Sequence, residues 1–134
     1  MPTGQTRDAG GPVGVSRTID ASPQAVWEVL VSAQGLAVWL GPDAQLPDEA
    51  GGRWTTADAQ GEVRSYRDRD RVRLRLPTHD GAAETTGQVA VVATDDGRTR
   101  LLLHEEHLRD PGERLRRQTH WRGVADRLER LIPV

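Results

Sequence analysis

The most restrictive feature of the sequence is a period of two between residues 71 and 76. Three aliphatic residues alternate there with three arginines: Val72, Leu74 and Leu76 against Arg71, Arg73 and Arg75. Because successive side chains of a β-strand point to opposite faces of a sheet, this segment predicts a strand with one apolar and one basic face. The apolar face has to be buried, so we expect a second layer of secondary structure to pack against it.

Further strands are predicted on both sides of this segment. They are expected at residues 13–19, from Gly51-Gly52-Arg53-Trp54 to about 58, within 62–76, and at about 85–94 and 98–107. Turn-forming residues separate them, namely Gln60-Gly61, Pro77 with Asp80-Gly81, and Asp95-Asp96-Gly97. Because these strands follow one another without intervening helices, the pattern favours an antiparallel sheet.

Three helices complete the prediction. Ser22-Pro23 is a typical helix start, and an apolar face follows to about Ser32. A second short helix is expected around 36–40, ending at Gly41-Pro42. A long helix is predicted from Glu113 to Ile132, with apolar residues at helical spacing: Leu115, Trp121, Val124, Leu128 and Leu131 or Ile132. The order of elements predicts an α+β fold in which the long helix covers the sheet.

Composition predicts one domain with few aliphatic residues in its core. The chain has 134 residues, and Leu, Ile, Val and Phe make up 21% of it. Since it contains four Trp and no Phe, the tryptophans are expected to fill much of the core. Residues 1–12 carry turn formers without apolar periodicity, so we expect a flexible tail followed by a single domain at 13–134.

Several classes of protein are excluded at this point. The absence of Cys excludes disulfides, a thiolate nucleophile and thiolate-bound metals. No apolar run approaches the roughly 20 residues of a membrane span, and no signal-peptide core is visible, so a cytoplasmic location is expected. The formal net charge of −2 argues against nucleic acid as a partner. All basic residues are Arg, which we interpret as the coding bias of a high-GC bacterium.

Five segments in order resemble the SRPBCC (START-like, helix-grip) superfamily. They are Ser22-Pro23-Gln24-Ala25-Val26-Trp27, Leu36-Ala37-Val38-Trp39-Leu40-Gly41-Pro42, Gly51-Gly52-Arg53-Trp54, Gly97-Arg98-Thr99-Arg100-Leu101, and His120-Trp121 with Leu128 and Leu131. The resemblance covers about residues 13–132 and is nearest to the polyketide cyclase-related branch named for activators of the ninety-kilodalton heat-shock ATPase. It implies a curved antiparallel sheet of about seven strands around a long C-terminal helix, two short helices after the first strand, and a cavity between sheet and helix.

The histidines and one glutamate are the candidate reactive groups. His104 and His107 lie three apart on a predicted strand and so face opposite sides, which argues against one metal ion. His79 lies beside a turn and is expected in solvent. If Leu101 and Leu103 face the cavity, Glu105 and His107 continue that face, and Glu105 is a candidate acid or base; otherwise both are solvated. The arginines at 64–75 are interrupted by acidic residues and are expected to form cross-strand ion pairs on the outer sheet face.

The candidate ligand-binding residues are those expected to face the cavity. In helix-grip folds the positions of Trp39 and Trp54 flank the cavity mouth, so the resemblance implies a stacking role. The full candidate set is Trp39, Trp54, Tyr66, Leu74, Leu76, Leu101, Leu103, Glu105, Gln118, His120 and Trp121. No catalytic residue, metal or cofactor is assigned.

Three functions stay open on the sequence alone. We expect a protein that binds a small apolar or aromatic molecule without transforming it. A cyclase- or hydrolase-type enzyme acting in the same cavity is the second alternative, and a protein-interaction or stress-response module without a cavity is the third. The enediyne self-sacrifice resistance proteins, which share the fold and a comparable Gly-Gly-Arg-Trp segment, are a further alternative. A homodimer is left open, and a heat-shock ATPase is not the expected partner.

Overall fold

A computed structural model describes residues 11–77 and 84–133 as one antiparallel sheet with three helices. The elements in chain order are β1 (Val13–Ile19), α1 (Pro23–Val31), α2 (Ala33–Trp39), β2 (Arg53–Thr55), β3 (Gln60–Arg67), β4 (Arg71–Pro77), β5 (Glu84–Ala93), β6 (Thr99–Glu106) and α3 (Pro111–Leu131). The six strands are ordered β1-β6-β5-β4-β3-β2, and every pairing is antiparallel. The predicted α+β class is confirmed. His79, Asp80-Gly81 and most of the expected tail lie outside the described residues.

The sheet is one strand smaller than expected. Beyond β2 the chain makes a single bridge, in which the N–H groups of Gln45 and Thr55 each donate to the other residue's carbonyl, at 2.8 and 3.1 Å. Pro42 and Pro47 flank this bridge, and proline has no N–H to donate to a ladder. A seventh strand therefore does not develop within the described residues.

The hairpin between β2 and β3 does not turn where the sequence predicted. Its turn lies at Thr56–Ala59, closed by the Thr56 N–H donating to the Ala59 carbonyl at 2.8 Å, and Gln60-Gly61 already belongs to β3. The predicted strand region 62–76 is likewise two strands, separated by a turn in which Arg69 has φ 61°.

One serine allows α1 and α2 to follow each other without a loop. The Ser32 hydroxyl donates to the Val29 carbonyl at 2.7 Å at the end of α1 and accepts from the Gly35 N–H at 3.0 Å at the start of α2. A Cβ atom at Gly35 would overlap the Val29 carbonyl oxygen, so the close junction requires glycine. The predicted start of α1 is confirmed, because Ser22 accepts from the Ala25 N–H at 3.1 Å.

The core lies between α3 and the inner face of the sheet. The aliphatic residues of β4 are buried on that face together with Trp121, Val124 and Leu128 of α3. Leu115 was predicted to share this face but is 68% exposed, because the buried stripe of α3 runs through Glu113 and Trp121 instead.

The basic face of β4 points outwards and forms cross-strand ion pairs, as predicted. Arg73 pairs with Glu106 of β6, and Arg75 pairs with Glu84 at 3.0 Å and with Glu62 at 3.7 Å. Much of the positive charge of this stripe is thereby compensated locally. Within residues 11–77 and 84–133, no helix is long and apolar enough to cross a membrane.

Candidate functional site

An open cleft of about 690 Å³ lies where the β2–β4 edge of the sheet meets α2 and the middle of α3. Its described lining consists of Val38, Trp39, Leu40, Gly41, Trp54, Asp58, Ala59, Gln60, Leu76, Pro77, Arg117 and His120. Apolar side chains from α2, β4 and the β2–β3 turn form most of the wall. Charged and polar groups are confined to the turn, the start of β3 and α3.

Two indoles form the floor of the cleft. Trp39 is 5% and Trp54 is 1% exposed. The Trp39 Nε1–H donates to the Leu30 carbonyl and the Trp54 Nε1–H to the Arg75 carbonyl, both at 2.9 Å. Because the protein's own backbone satisfies both N–H groups, the indoles contribute ring carbons to the floor and no free donor.

Gly61 explains how the Trp54 indole fits against the sheet. Gly61 is paired with Trp54 across the β2–β3 ladder. A Cβ atom at Gly61 would lie 2.6 Å from Trp54 Nε1 and 2.5 Å from the Arg75 carbonyl oxygen. Gly61, which the sequence analysis assigned to a turn, is therefore required by the packing of Trp54 in the cleft floor.

Behind one wall of the cleft lies a buried polar network centred on Glu105. Its carboxylate is 2% exposed. Glu105 Oε1 accepts from Arg117 Nε at 2.7 Å and from Trp121 Nε1 at 2.8 Å, and Oε2 accepts from the Thr85 hydroxyl. A buried carboxylate is tolerated when a cation and further donors compensate for lost hydration, and this one has both.

Of the two alternatives for the end of β6, Glu105 follows the inward-facing one and His107 the solvated one. Glu105 continues the inward face of Leu101 and Leu103 and does not leave the core. The strand ends at Glu106, and His107 has φ 72°, so its side chain is exposed. His107 Nδ1 lies 3.1 Å from the Thr86 hydroxyl instead. In the part of the chain that the structure describes, no three His, Asp or Glu side chains are grouped to hold a metal ion.

The structure brings four of the eleven predicted ligand-binding residues to the cleft. They are Trp39, Trp54, Leu76 and His120, the last being edge-on to Trp121 with ring centroids 5.2 Å apart. The other seven do not line it. Three of them, Leu74, Leu101 and Leu103, are in the packed core. Glu105 and Trp121 lie behind Arg117. Tyr66 packs on Trp27, and Gln118 forms hydrogen bonds with the Gly14 backbone.

The expected cavity is therefore displaced. Small aliphatic side chains do not leave space along the whole interface between sheet and helix. Trp54 and Trp121 are nearly fully buried and fill the central part of that interface. The open cleft lies to one side of these tryptophans, beside α2 and the β2–β3 turn.

Sequence reasoning missed Arg117, the cation of the cleft. The sequence does contain a signal for it, because Arg117 lies four residues before Trp121 and therefore on the same face of the helix. A charged residue on the buried stripe of an amphipathic helix predicts a specific partner, which here is Glu105.

A curved antiparallel sheet that holds a long C-terminal helix, with a cleft beside that helix, defines a helix-grip protein. The family model described as activator of Hsp90 ATPase homolog 1-like protein matches residues 20–132, and the chain belongs to this family. This confirms the superfamily and branch inferred from the sequence motifs. A search of curated proteins gives no significant match.

Solved structures with the same fold share little sequence with this chain. CalU16 from Micromonospora echinospora is 17% identical with a TM-score of 0.75, over 90% of this chain and 75% of that one. The HSP90 activator PFC0360w from Plasmodium falciparum is 15% identical with a TM-score of 0.74, over 91% and 96%. The Aha1 dimer from Colwellia psychrerythraea is 13% identical with a TM-score of 0.73, over 92% and 97%. At these identities the likeness concerns the fold alone.

Proposed function

We propose that the protein binds a small apolar or aromatic molecule in the cleft and does not transform it. The observation that carries this proposal is the floor of two indoles whose N–H groups are already bonded to backbone carbonyls. Next to these indoles, the partly exposed Val38, Leu40 and Ala59 present apolar area that an apolar ligand would remove from water. The volume of about 690 Å³ also falls within the range of small-molecule sites.

The lining argues for binding rather than catalysis. Among its described members there is no serine, threonine or cysteine to act as a nucleophile. Asp58, the carboxylate in the described lining, lies on the exposed β2–β3 turn and accepts from the Thr56 hydroxyl at 3.3 Å. Glu105, behind the wall, accepts hydrogen bonds from three donors inside the protein. The described lining therefore lacks a hydroxyl or thiol nucleophile for a base and an oxyanion site to act on.

The turn at the edge of the cleft offers a variant that blocks the site without replacing a buried core residue. Ala59 lines the cleft, whereas Ala57 lies two residues away in the same turn, is exposed and is not part of the lining. Ala59→Phe should fill the cleft and Ala57→Phe should not. A library of small aromatic compounds would be screened by thermal shift, and the hits titrated by calorimetry against all three proteins.

We expect saturable binding to the unmodified protein and to Ala57→Phe, and at least tenfold weaker binding to Ala59→Phe. The compound recovered from each titration should be chemically unchanged. Equal binding to both variants would place the ligand elsewhere, and a converted compound would favour the enzymatic alternative.

A protein-interaction module is the second candidate, and the filled central interior favours it. Leu74, Leu101 and Trp121 are each at most 1% exposed, and none of them lines the cleft. The fold is shared by an HSP90 activator and by a protein solved as a dimer. A screen without saturable binding would shift the assignment to this candidate, and light scattering would then test for a homodimer.

A further inference from the structure

Arg117 has hydrogen-bonding capacity that the apolar proposal does not use. Its side chain is 18% exposed and lines the cleft. The Nε–H is bonded to Glu105, and the guanidinium carbon lies 5.9 Å from the centroid of the Trp121 ring. Among the described residues, no acceptor contacts the terminal Nη1 and Nη2 groups. N–H donors without an acceptor in the described part of the protein are therefore present in the wall of a cleft that has both apolar and polar lining.

The charges around Arg117 argue against an anionic ligand. The buried Glu105 carboxylate compensates the guanidinium charge, with Oε1 at 2.7 Å from Arg117 Nε. Asp58 adds a second carboxylate at the edge of the cleft. His120 adds positive charge only when it is protonated. A ligand carboxylate at Arg117 would lose its hydration and also meet the field of these two carboxylates, whereas an uncharged acceptor would use the same N–H donors without repulsion.

We propose that Arg117 determines ligand specificity by donating to an uncharged acceptor, the carbonyl oxygen of an aromatic ketone or ester. This inference rests on the proposed function, since it names the ligand class of the same cleft. The aromatic part of the ligand packs on the partly exposed Val38, Leu40 and Ala59, next to the two indoles of the floor. A hydrocarbon of the same shape binds less well, because it removes water from the Nη groups and returns no acceptor.

Glu105 is the positioning residue of this arrangement. It accepts from Arg117 Nε, so the guanidinium of a side chain that lines the cleft is restricted in its orientation. Trp121 and Thr85 fix the carboxylate in turn. The donors are thus held in place before the ligand arrives, which reduces the entropy lost on binding.

The test compares three probes built on one ring system: 2-acetylnaphthalene, 2-ethylnaphthalene and 2-naphthoate. Their dissociation constants are measured by ¹H–¹⁵N NMR titration of the full chain. We expect the ketone to bind about tenfold tighter or more than the hydrocarbon and the carboxylate, since a hydrogen bond to a charged donor is gained. Arg117→Met should reduce ketone binding to the level of the hydrocarbon. Arg116→Met, an exposed neighbour outside the lining, should leave all three constants unchanged.

A second variant covers the risk that Arg117→Met alone unfolds the protein. Glu105→Gln combined with Arg117→Met removes both charges, so no uncompensated carboxylate stays buried, and it should show the same loss of ketone preference. Preferential binding of naphthoate, equal binding of ketone and hydrocarbon, or a preference that survives loss of Arg117 would each overturn the inference while leaving the proposed function standing. If no probe shifts the cleft residues, the proposed function fails as well.

Discussion

Arg117 of α3 donates its Nε–H to Glu105 of β6 at 2.7 Å, in a region where Glu105 is 2% exposed. This pair joins the end of the β6 strand to the middle of the long helix. The same guanidinium lines the cleft. One interaction therefore contributes to the stability of the fold and to the shape and polarity of the proposed binding site.

Removing the Glu105 carboxylate should destabilise the protein strongly. We expect Glu105→Ala to lower the free energy of unfolding by about 3–5 kcal/mol, because Arg117 stays partly buried without its partner. The matched control is Glu106→Ala, the next residue in the strand, which pairs with Arg73 on the outer face. Its cost should stay below about 1 kcal/mol, since that pair is partly solvated. Urea denaturation measures both, and equal losses would contradict the assigned role of the buried pair.

Trp121 should be a main contributor to the core. We expect Trp121→Ala to cost about 3–5 kcal/mol, through lost burial and the cavity it leaves. Leu115→Ala on the same helix should change stability by less than about 0.5 kcal/mol, because Leu115 is largely exposed. An unchanged thermal midpoint for Trp121→Ala would show that the core does not depend on this side chain.

Two glycine-to-alanine substitutions should have opposite effects. At Gly61 the added methyl group would collide with the Trp54 indole and the Arg75 carbonyl, so Gly61→Ala should be destabilising and should change the near-UV circular dichroism of the tryptophans. At Gly123 in α3 no atom lies within 4 Å of the new Cβ, so Gly123→Ala should stabilise the protein by about 0.5–1 kcal/mol through helix propensity. Thermal unfolding of both variants checks the pair, and a neutral Gly61→Ala would argue against the close Trp54 contact.

Glu113 should make stability depend on pH at the start of α3. The Arg109 backbone N–H donates to Glu113 at 2.7 Å and, with the Arg109 guanidinium, holds the pKa of this carboxyl below its ordinary value of 4.5. Its contribution is therefore present above pH 4.5 and lost as the pH falls through the lower folded-state pKa. Glu113→Gln should cost about 0.5–1 kcal/mol at pH 7, as expected for a negative charge at a helix N-terminus, and less at pH 3. A cost that does not change with pH would contradict this.

Local sequence signals predicted the elements well and the packing less well. The alternation in β4, the Ser22 cap and the Asp95-Asp96-Gly97 turn are short-range features, and each appears where expected. Gly61 was misinterpreted because its reason is a contact with Trp54, which only the folded chain brings together.

The alternation of side chains along a strand likewise assigns each residue to a face of the sheet, but it does not give its position along the helix that covers that face. Leu74 and Leu76 share the inner face of β4, yet only Leu76 reaches the cleft. The choice between them depends on where Trp54 and Trp121 fill space, which no periodicity reveals.

The most direct test of the central claim is a ¹H–¹⁵N chemical-shift map recorded with a saturating neutral aromatic ligand such as 2-acetylnaphthalene. The account predicts that the largest shifts fall on residues 38–41, on residues 58–60 and at Arg117 and His120, all of which line the cleft. The amides of the outer sheet face around Leu102 should stay in place. Shifts centred on that outer face, or none at saturating concentration, would contradict the assignment of the cleft as the binding site.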